Sequence, residues 1–228
     1  MQVVILAGGI GTRLRPLTYK IPKPMVVINN KPFLEYQLAY IKSFNLKKIL
    51  LLVSYLGDQI EAYFGNGSNF GLNISYSYEK TPLGTGGALK NAEDKLEDNF
   101  FLLNGDTFLP INLNEVKENF LKNNKSGIIT VYDNSEKIVK NNITIDHLNF
   151  VMDYNKEISS DKTHVDAGVL ILKKEVLELI SENKVCSLEK EIYNKLIEKK
   201  ELVGFCTTQR FHDIGSFEEL EIARKVLK

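Results

Sequence analysis

The stretch VVILAGGIGTRLRPLTYKIPKP, residues 3–24, joins a wholly apolar run to a basic loop rich in glycine and proline. The run at residues 3–7 is β-branched and is typical of a buried strand that is covered on both faces. The loop at residues 8–24 holds three glycines, two arginines, two lysines and three prolines. A packed core has no use for that mixture, so we interpret the loop as a binding element that directly follows a strand.

Strand and helix patterns alternate along the rest of the chain, which predicts an α/β fold. We predict strands at residues 47–54, 72–79, 99–106, 126–132 and 166–174, and helices at 32–44, 57–64, 86–96, 188–198 and 217–227. The alternation favours a Rossmann-like, mostly parallel sheet with helices on both faces and a small sheet elaboration in the second half. Residues 136–164 are polar and rich in Asn and Lys, and no element is assigned there.

The overall composition points to a globular protein that binds its ligands locally. The 228 residues carry 29 basic and 29 acidic side chains, so no global field favours nucleic acid or a membrane surface. No apolar run reaches the roughly 18 residues that a membrane helix needs. Two isolated cysteines indicate a reducing cytoplasm and inert thiols. We expect one domain, 1–228, with a nucleotide-binding half at 1–125 and an acceptor-binding half at 126–228, and we leave a homodimer open.

Polar segments follow several predicted strands, where open α/β sheets bind their ligands. Besides the opening loop they are EKTPLGTGGA (79–88), NGDTF (104–108) and FHDIGS (211–216). In the opening loop, Gly8, Gly9 and Gly11 allow backbone amides to approach an anion, and Arg13 and Lys23 add positive charge suited to phosphate. A Walker loop and a dinucleotide fingerprint are both excluded, because GK[ST] is absent and Leu14 and the prolines prevent a regular helix.

The complete loop resembles the signature GGxGTRLxPLTxxxPKPM of the nucleotidyltransferases that build nucleotide sugars. The resemblance extends in the same order through PLGTGGA, NGDTF and FHDIGS, so it covers essentially the whole chain. Within that family the chain looks most like the short guanylyltransferases that act on heptose 1-phosphate or mannose 1-phosphate. The resemblance implies a fold of the nucleotide-diphospho-sugar transferase type and a reaction of a nucleoside triphosphate with a sugar 1-phosphate, which gives a nucleoside diphosphate sugar and pyrophosphate.

The resemblance also implies roles for individual residues. Arg13 and Lys23 would be catalytic, since phosphoryl transfer depends mainly on positioning and charge neutralisation. Asp106 and Asp213 would hold Mg²⁺, and each would otherwise be interpreted as a turn residue. The predicted nucleotide-binding residues are Leu6, Ala7, Gly8, Gly9, Gly11, Thr12, Arg13, Glu79, Pro82, Gly84 and Thr85. The predicted acceptor-binding residues are Asn104, Lys156, Asp166 and Gly168.

The predictions of base and acceptor depend on a few positions at which this chain differs from the residues common in the family. Where thymidylyl and uridylyl relatives commonly have Gln, this chain has Glu79, whose carboxylate can accept from the two adjacent N–H groups of guanine. This predicts GTP, although Glu79 paired with a surface cation is the plain alternative. On the acceptor side the sequence has YNKE (154–157) and DAG (166–168) where relatives often have FxEK and NAG, so the identity of the acceptor stays open.

Several functions are compatible with these motifs. The favoured one is an Mg²⁺-dependent sugar-1-phosphate guanylyltransferase that supplies capsule or lipopolysaccharide synthesis. A cytidylyltransferase with a non-sugar phosphate or phosphonate acceptor is an alternative, and so is a catalytically silent relative that only binds ligands. A glycosyltransferase is disfavoured because NGDTF lacks a DxD motif. A phosphate nucleophile is already ionised, so His212 is interpreted as a packing residue rather than as a general base.

Overall fold

The computed structural model of the protein describes residues 1–155, 163–182 and 184–227. Over these residues the strands and helices follow in the order β1 (Gln2–Leu6), β2 (Val27–Ile28), β3 (Lys31–Pro32), α1 (Phe33–Ser43), β4 (Lys48–Val53), α2 (Gly57–Phe64), β5 (Asn73–Tyr78), α3 (Gly84–Asn91), β6 (Asn99–Asn104), β7 (Thr107–Phe108), α4 (Leu113–Asn123), β8 (Gly127–Asp133), β9 (Ile143–Ile145), β10 (Val151–Tyr154), β11 (His164–Lys173), α5 (Tyr193–Glu198), β12 (Leu202–Thr207), β13 (His212–Asp213) and α6 (Phe217–Val226). No helix in these ranges has both the length and the apolar character that a bilayer span requires.

The chain forms two compact units that interleave along the sequence. The first unit contains Met1–Pro82, Leu102–Phe108 and His212–Lys228, and the second contains Leu83–Phe101 and Leu109–Phe211. The chain therefore leaves the first unit after β5 and returns to it twice.

The first unit is built on parallel strands that are buried by their apolar side chains. β1 pairs with β4 and β4 pairs with β5, both in parallel, and the carboxyl half of β6 lies on the other side of β1. Residues 3–5 of β1 and 49–53 of β4 are almost wholly inaccessible to solvent. Because parallel strands end at the same edge of a sheet, the loops after β1 and β6 and the residue after β5 lie at one edge.

In the second unit the longer strands pair mostly antiparallel, whereas the antiparallel pairs of the first unit, β2 with β3 and β7 with β13, are only two residues long. β11 pairs antiparallel with β8 and β9, and β9 pairs antiparallel with β10, whereas β12 runs parallel to β8. The predicted α/β class, with a mostly parallel sheet and an elaboration in the second half, is confirmed. The prediction of a single domain, 1–228, stays a prediction.

Three local predictions differ from the structure. The helix predicted at 86–96 begins earlier, at Gly84, and ends at Asn91, followed by a 3₁₀ turn at Glu93–Lys95. The helix predicted at 188–198 starts as a π-helical turn, Leu188–Ile192, before α5. The unassigned polar region contains β9 and β10, because β9 pairs with β11 and β10 pairs with β9, which stabilises strands that the local sequence does not favour.

Candidate active site

The opening loop adopts a compact, irregular conformation rather than a helix. Three 3₁₀ turns, Thr12–Leu14, Leu17–Tyr19 and Lys23–Met25, replace any regular helix, as the prolines predict. Gly11 has φ of 67°, and a Cβ there would lie 2.9 Å from the side chain of Thr18 and 3.1 Å from that of Lys23. The Thr18 hydroxyl donates to the Gly11 carbonyl at 2.7 Å. Glycine at this position therefore lets the loop fold back on itself.

A small apolar cluster joins this loop to the last helix. Leu14 and Ile214 are both fully buried in it, together with Phe33 of α1 and Leu220 of α6. Arg13 precedes Leu14 and Asp213 precedes Ile214, so burial of the two apolar side chains brings their charged neighbours to the same place. Both side chains lie against Gly215: a Cβ built on this glycine would be 2.6 Å from Arg13 Nη2 and 2.9 Å from Asp213 Oδ1.

The turn after β6 places Asp106 beside Asp213. The Gly105 amide donates to Leu6 of β1 at 3.0 Å, and the Ile214 amide donates to the Asp106 carbonyl at 3.0 Å. β7 and β13 pair antiparallel, with Asp213 opposite Thr107. The two aspartates are 107 residues apart in the sequence, and they lie at the same end of this strand pair, Asp106 immediately before β7 and Asp213 as the last residue of β13.

Lys23 forms an ion pair with Asp106. The lysine is only 7% exposed, although it lies in a surface loop. A lysine is rarely this buried unless its charge is paired. The pairing puts the Lys23 ammonium directly at one of the two predicted metal-binding carboxylates.

Glu219 is a third carboxylate at this place. Burial, together with a hydrogen bond to Glu219, raises the pKa of Asp213 to about 7, although the Gly215 amide, which donates to Asp213, acts in the opposite direction. Burial alone would raise the pKa of Glu219, but hydrogen bonds with Asp213 and Ser216 and the charges of Arg13 and Lys23 lower it. Of the two carboxyl groups, Asp213 is therefore the one whose protonated form is favoured.

Glu219 was not among the predicted site residues, because its spacing from Ser216 is that of a capping box. Ser216 does cap α6, accepting from the Glu219 amide at 3.3 Å. A Glu at the third helical position points its side chain back over the helix start, where Asp213 lies. The spacing of Ser216 and Glu219, which indicates a helix cap, is therefore also the sequence feature that could have pointed to Glu219 as a site residue.

Glu79 lies at the same edge, directly after β5. Its amide donates to the Val53 carbonyl at 3.1 Å, and Glu79 Oε1 would be 3.2 Å from a Cβ on Gly8. Leu6 and Ala7 use backbone groups for the sheet, since the Ala7 amide donates to Leu52 at 2.8 Å. Gly9 and Thr12 are exposed, and so is Pro82.

The predicted residues Gly84 and Thr85 belong to the second unit, where they pack on the segment around Cys186. Gly84 has φ of 74°, and a Cβ there would lie 2.6 Å from the Cys186 carbonyl oxygen. The same carbonyl accepts from the amides of Gly86 and Gly87. The glycines of PLGTGGA therefore have a packing reason that is independent of any ligand.

The second unit also positions Asp166, one of the predicted acceptor residues. Its carboxylate accepts from the Tyr154 hydroxyl at 3.0 Å and from the Gly168 amide at 2.9 Å. A register shift in β11 follows Asp166, and Gly168 within it has φ of 80°. Burial and the charge of Asp166 raise the pKa of Tyr154, so this hydroxyl stays a donor. Lys156 lies outside the described residues.

The last predicted site residue is Asn104. Its carbonyl, at the end of β6, accepts from the Gln37 side chain at 2.9 Å. His212, which is not assigned to catalysis from the sequence, begins β13 opposite Phe108.

Comparison with known proteins decides the family. The family model described as nucleotidyl transferase matches residues 2–228. The chain belongs to this family. The resemblance stated from the sequence motifs is thereby confirmed.

Similar members of the nucleotidyl transferase family include two curated enzymes. The D-glycero-alpha-D-manno-heptose 1-phosphate guanylyltransferase of Aneurinibacillus thermoaerophilus is 32% identical over 229 residues, 100% of this chain and 99% of the relative. The mannose-1-phosphate guanyltransferase of Saccharomyces cerevisiae is 36% identical over 94% of this chain, which spans 61% of the yeast protein. Among solved structures, HddC from Yersinia pseudotuberculosis in complex with GMP-PN is 32% identical with a TM-score of 0.83, covering 100% of this chain and 99% of HddC.

Proposed function

We propose that this nucleotidyl transferase is an Mg²⁺-dependent guanylyltransferase that joins GTP to a sugar 1-phosphate and releases pyrophosphate. The observation that carries the proposal is the cluster of Arg13, Lys23, Asp106 and Asp213, held together by the Leu14–Ile214 cluster and by the β7–β13 pairing. Two cations and two carboxylates beside a glycine loop suit a bound polyphosphate and its metal ion. The guanylyltransferase names of the relatives support the same reaction.

In this proposal Arg13 and Lys23 stabilise the negative charge that develops on the phosphates in the transition state. Arg13 is exposed at the loop surface and offers a planar fork for the departing pyrophosphate. Lys23 is held at Asp106 and neutralises charge between the attacking phosphate oxygen and the α-phosphate. Because the sugar phosphate is already ionised at neutral pH, no side chain has to remove a proton from it.

Asp106 and Asp213 fit a magnesium ion by their donor chemistry. Carboxylate oxygens are the ligands that Mg²⁺ prefers, and it keeps several waters, so two protein ligands suffice. Glu219 contacts Asp213, but among the described residues no three His, Cys, Asp or Glu side chains are arranged so that they could hold one metal ion, so the proposal rests on the two aspartates. When bound, Mg²⁺ supplies charge that offsets the negative phosphates. The adjacent ammonium of Lys23 competes for Asp106 and thereby limits metal binding by the free protein.

Substitution of Gly9 tests the proposed phosphate contact. A Cβ on Gly9 would meet no atom within 4 Å, and Gly9 does not have positive φ. We therefore expect Gly9→Ala to leave the melting temperature unchanged but to weaken GTP binding by at least about tenfold, because a methyl group keeps the phosphates off the backbone amides. Calorimetric titration with a non-hydrolysable GTP analogue measures this.

The contrasting variant is Gly105→Ala, whose Cβ would lie 2.6 Å from the Leu6 carbonyl oxygen. This variant should lose stability before it loses affinity. Normal nucleotide binding by Gly9→Ala would contradict the phosphate contact.

Glu79 is proposed to select guanine. Its position beside Gly8 places a carboxylate next to the glycine loop, where it can accept from two adjacent N–H groups of the base. Uracil and thymine present a carbonyl on either side of their N–H group and would be repelled. The proposal therefore assigns base preference to one charged side chain.

We expect Glu79→Gln to lower kcat/KM for GTP roughly ten- to a hundredfold while the values for UTP and dTTP stay equal or rise. The measurement is kcat/KM for GTP, UTP, CTP and dTTP with one acceptor. Glu118→Gln, at an exposed position of α4, is the matched control. An unchanged preference for GTP would remove the argument from Glu79.

The acceptor is proposed to be a heptose or mannose 1-phosphate, as in the relatives. Asp166, oriented by Tyr154 and Gly168, offers oxygen acceptors for sugar hydroxyls, and Lys156 is proposed to reach the sugar phosphate. The nucleotide sugar would supply surface polysaccharide synthesis in the cytoplasm.

A pyrophosphate-release screen tests the whole proposal. Four nucleoside triphosphates are crossed with sugar 1-phosphates, amino-acid phosphates and phosphonates, each with and without Mg²⁺. We expect release only with GTP, a sugar 1-phosphate and the metal ion. Turnover of CTP with a phosphonate would establish the cytidylyltransferase alternative, and no release from any pair would establish a silent relative.

A further inference from the structure

Gln37 is a buried polar residue on the apolar face of α1. It is 3% exposed and lies between Phe33, Leu34, Leu38 and Ile41, which are all fully buried. A buried amide costs free energy unless it is hydrogen-bonded, so a glutamine at such a position needs a structural reason. In the sequence it interrupts the hydrophobic face of a helix, and that interruption is the signal that marks it.

The Gln37 side chain connects α1 to both ends of the turn that carries Asp106. Its Nε2 donates to the Asn104 carbonyl at 2.9 Å and to the Thr107 carbonyl at 2.9 Å. Both amide hydrogens are used, and the amide orientation is determined because the opposite one would set an oxygen against two carbonyls. Asp106 and Gly105 lie between the two carbonyls, so the turn is held from both sides.

The carbonyl oxygen of the Gln37 side chain, in contrast, has no such hydrogen bond. Gln37 Oε1 is buried and has no hydrogen-bond partner among the described residues. An unpaired buried acceptor costs about 1–3 kcal/mol. An apolar side chain of the same shape would avoid that cost, so the fold retains Gln37 for its two donated bonds.

We propose that Gln37 is a positioning residue for Asp106 and sets the metal affinity of the site. The Asp106 turn has two further backbone bonds, from Gly105 to Leu6 and from Ile214 to Asp106. They attach the turn to β1 and β13, and Gln37 attaches it to α1. The inference rests on the proposed function, since it takes Asp106 as a ligand of the metal ion.

The test is Mn²⁺ binding to the free protein, followed by electron paramagnetic resonance, together with the Mg²⁺ dependence of turnover. Gln37→Met keeps the shape of the side chain and removes both donors. We expect its Kd for Mn²⁺ to rise about tenfold or more, as for other residues that hold a metal ligand in place. The Mg²⁺ concentration for half-maximal turnover should rise in parallel, while GTP-analogue binding without metal stays the same.

Ile41→Val in the same helix is the control for a general loss of stability, and Gln37→His, which retains an N–H donor, should lie close to the wild type. If Gln37→Met does not fold, Gln37→Leu is the second donor-free variant. Wild-type Mn²⁺ affinity in the donor-free variant, or the same loss in Ile41→Val, would overturn the inference. Failure of the proposed function is distinguished by Asp106→Asn: if the wild type and this variant bind Mn²⁺ alike, Asp106 is not a ligand.

Discussion

Lys23→Met is expected to lower kcat about a hundred- to a thousandfold and, at the same time, to tighten Mn²⁺ binding by the free protein. The loss of turnover follows from removing one positioned cation from the developing phosphate charge. The tighter binding follows because the Lys23 ammonium pairs with Asp106 and therefore competes with a metal ion for that carboxylate. We expect an increase in Mn²⁺ affinity of at least about threefold.

The variant should remain folded. The Lys23 stem fits among packed side chains and methionine fills a similar volume, while the Asp106 side chain is 36% exposed and can be solvated when its partner is lost. Lys47→Met, an exposed lysine just before β4, is the matched control for both measurements. Weaker Mn²⁺ binding by Lys23→Met would show that Lys23 and the metal ion do not compete for Asp106. Unchanged kcat would show that Lys23 does not stabilise the transition state.

Asp106→Asn and Asp213→Asn are each expected to reduce kcat about a hundred- to a thousandfold in saturating GTP and sugar 1-phosphate. The amide keeps the shape of each side chain but loses the charge that holds Mg²⁺. The double variant should be only slightly worse than either single variant, because residues that act as a unit have non-additive effects. Steady-state kinetics over a range of Mg²⁺ concentrations measures all three variants.

Asp94→Asn, an exposed aspartate in the 3₁₀ turn after α3, is the control for loss of one negative charge. Melting temperatures measured beside the kinetics separate loss of the fold from loss of the metal ion. Fully multiplicative losses in the double variant would mean that the two aspartates act independently, and they would then not hold a common ion.

Much of the fold follows from local patterns in the sequence. The apolar run before Gly8 forms β1, the face of 32–44 forms α1, and Ser216 caps α6. These features depend on side-chain periodicity, proline geometry and capping, which act within a few residues. β9 depends on pairing with β11, and the π-helical turn Leu188–Ile192 lies against Thr85, whose hydroxyl accepts from the Leu188 amide, so local propensity could not predict these elements.

In the candidate site, too, some residues could be identified from the sequence and others only from the structure. The motif residues Arg13, Lys23, Asp106 and Asp213 were identified from the sequence because their residue types and order are distinctive. Gln37 and Glu219 were not, since one contacts a turn 67 residues away and the other carries an ordinary capping pattern. Gly84 is predicted to bind the nucleotide, but its close approach to the Cys186 carbonyl shows that packing also requires a glycine there.

The sequence alone determined the α/β class, the irregular opening loop and the family of this protein, because strand and helix periodicity and proline restrictions are properties of neighbouring residues. Only the tertiary structure decided that Lys23 pairs with Asp106, that Glu219 lies in hydrogen-bond contact with Asp213, and that Gln37 holds the turn of Asp106. These contacts arise when burial of the Leu14–Ile214 cluster and strand pairing bring together residues far apart in the chain. A linear pattern contains no distance between such residues.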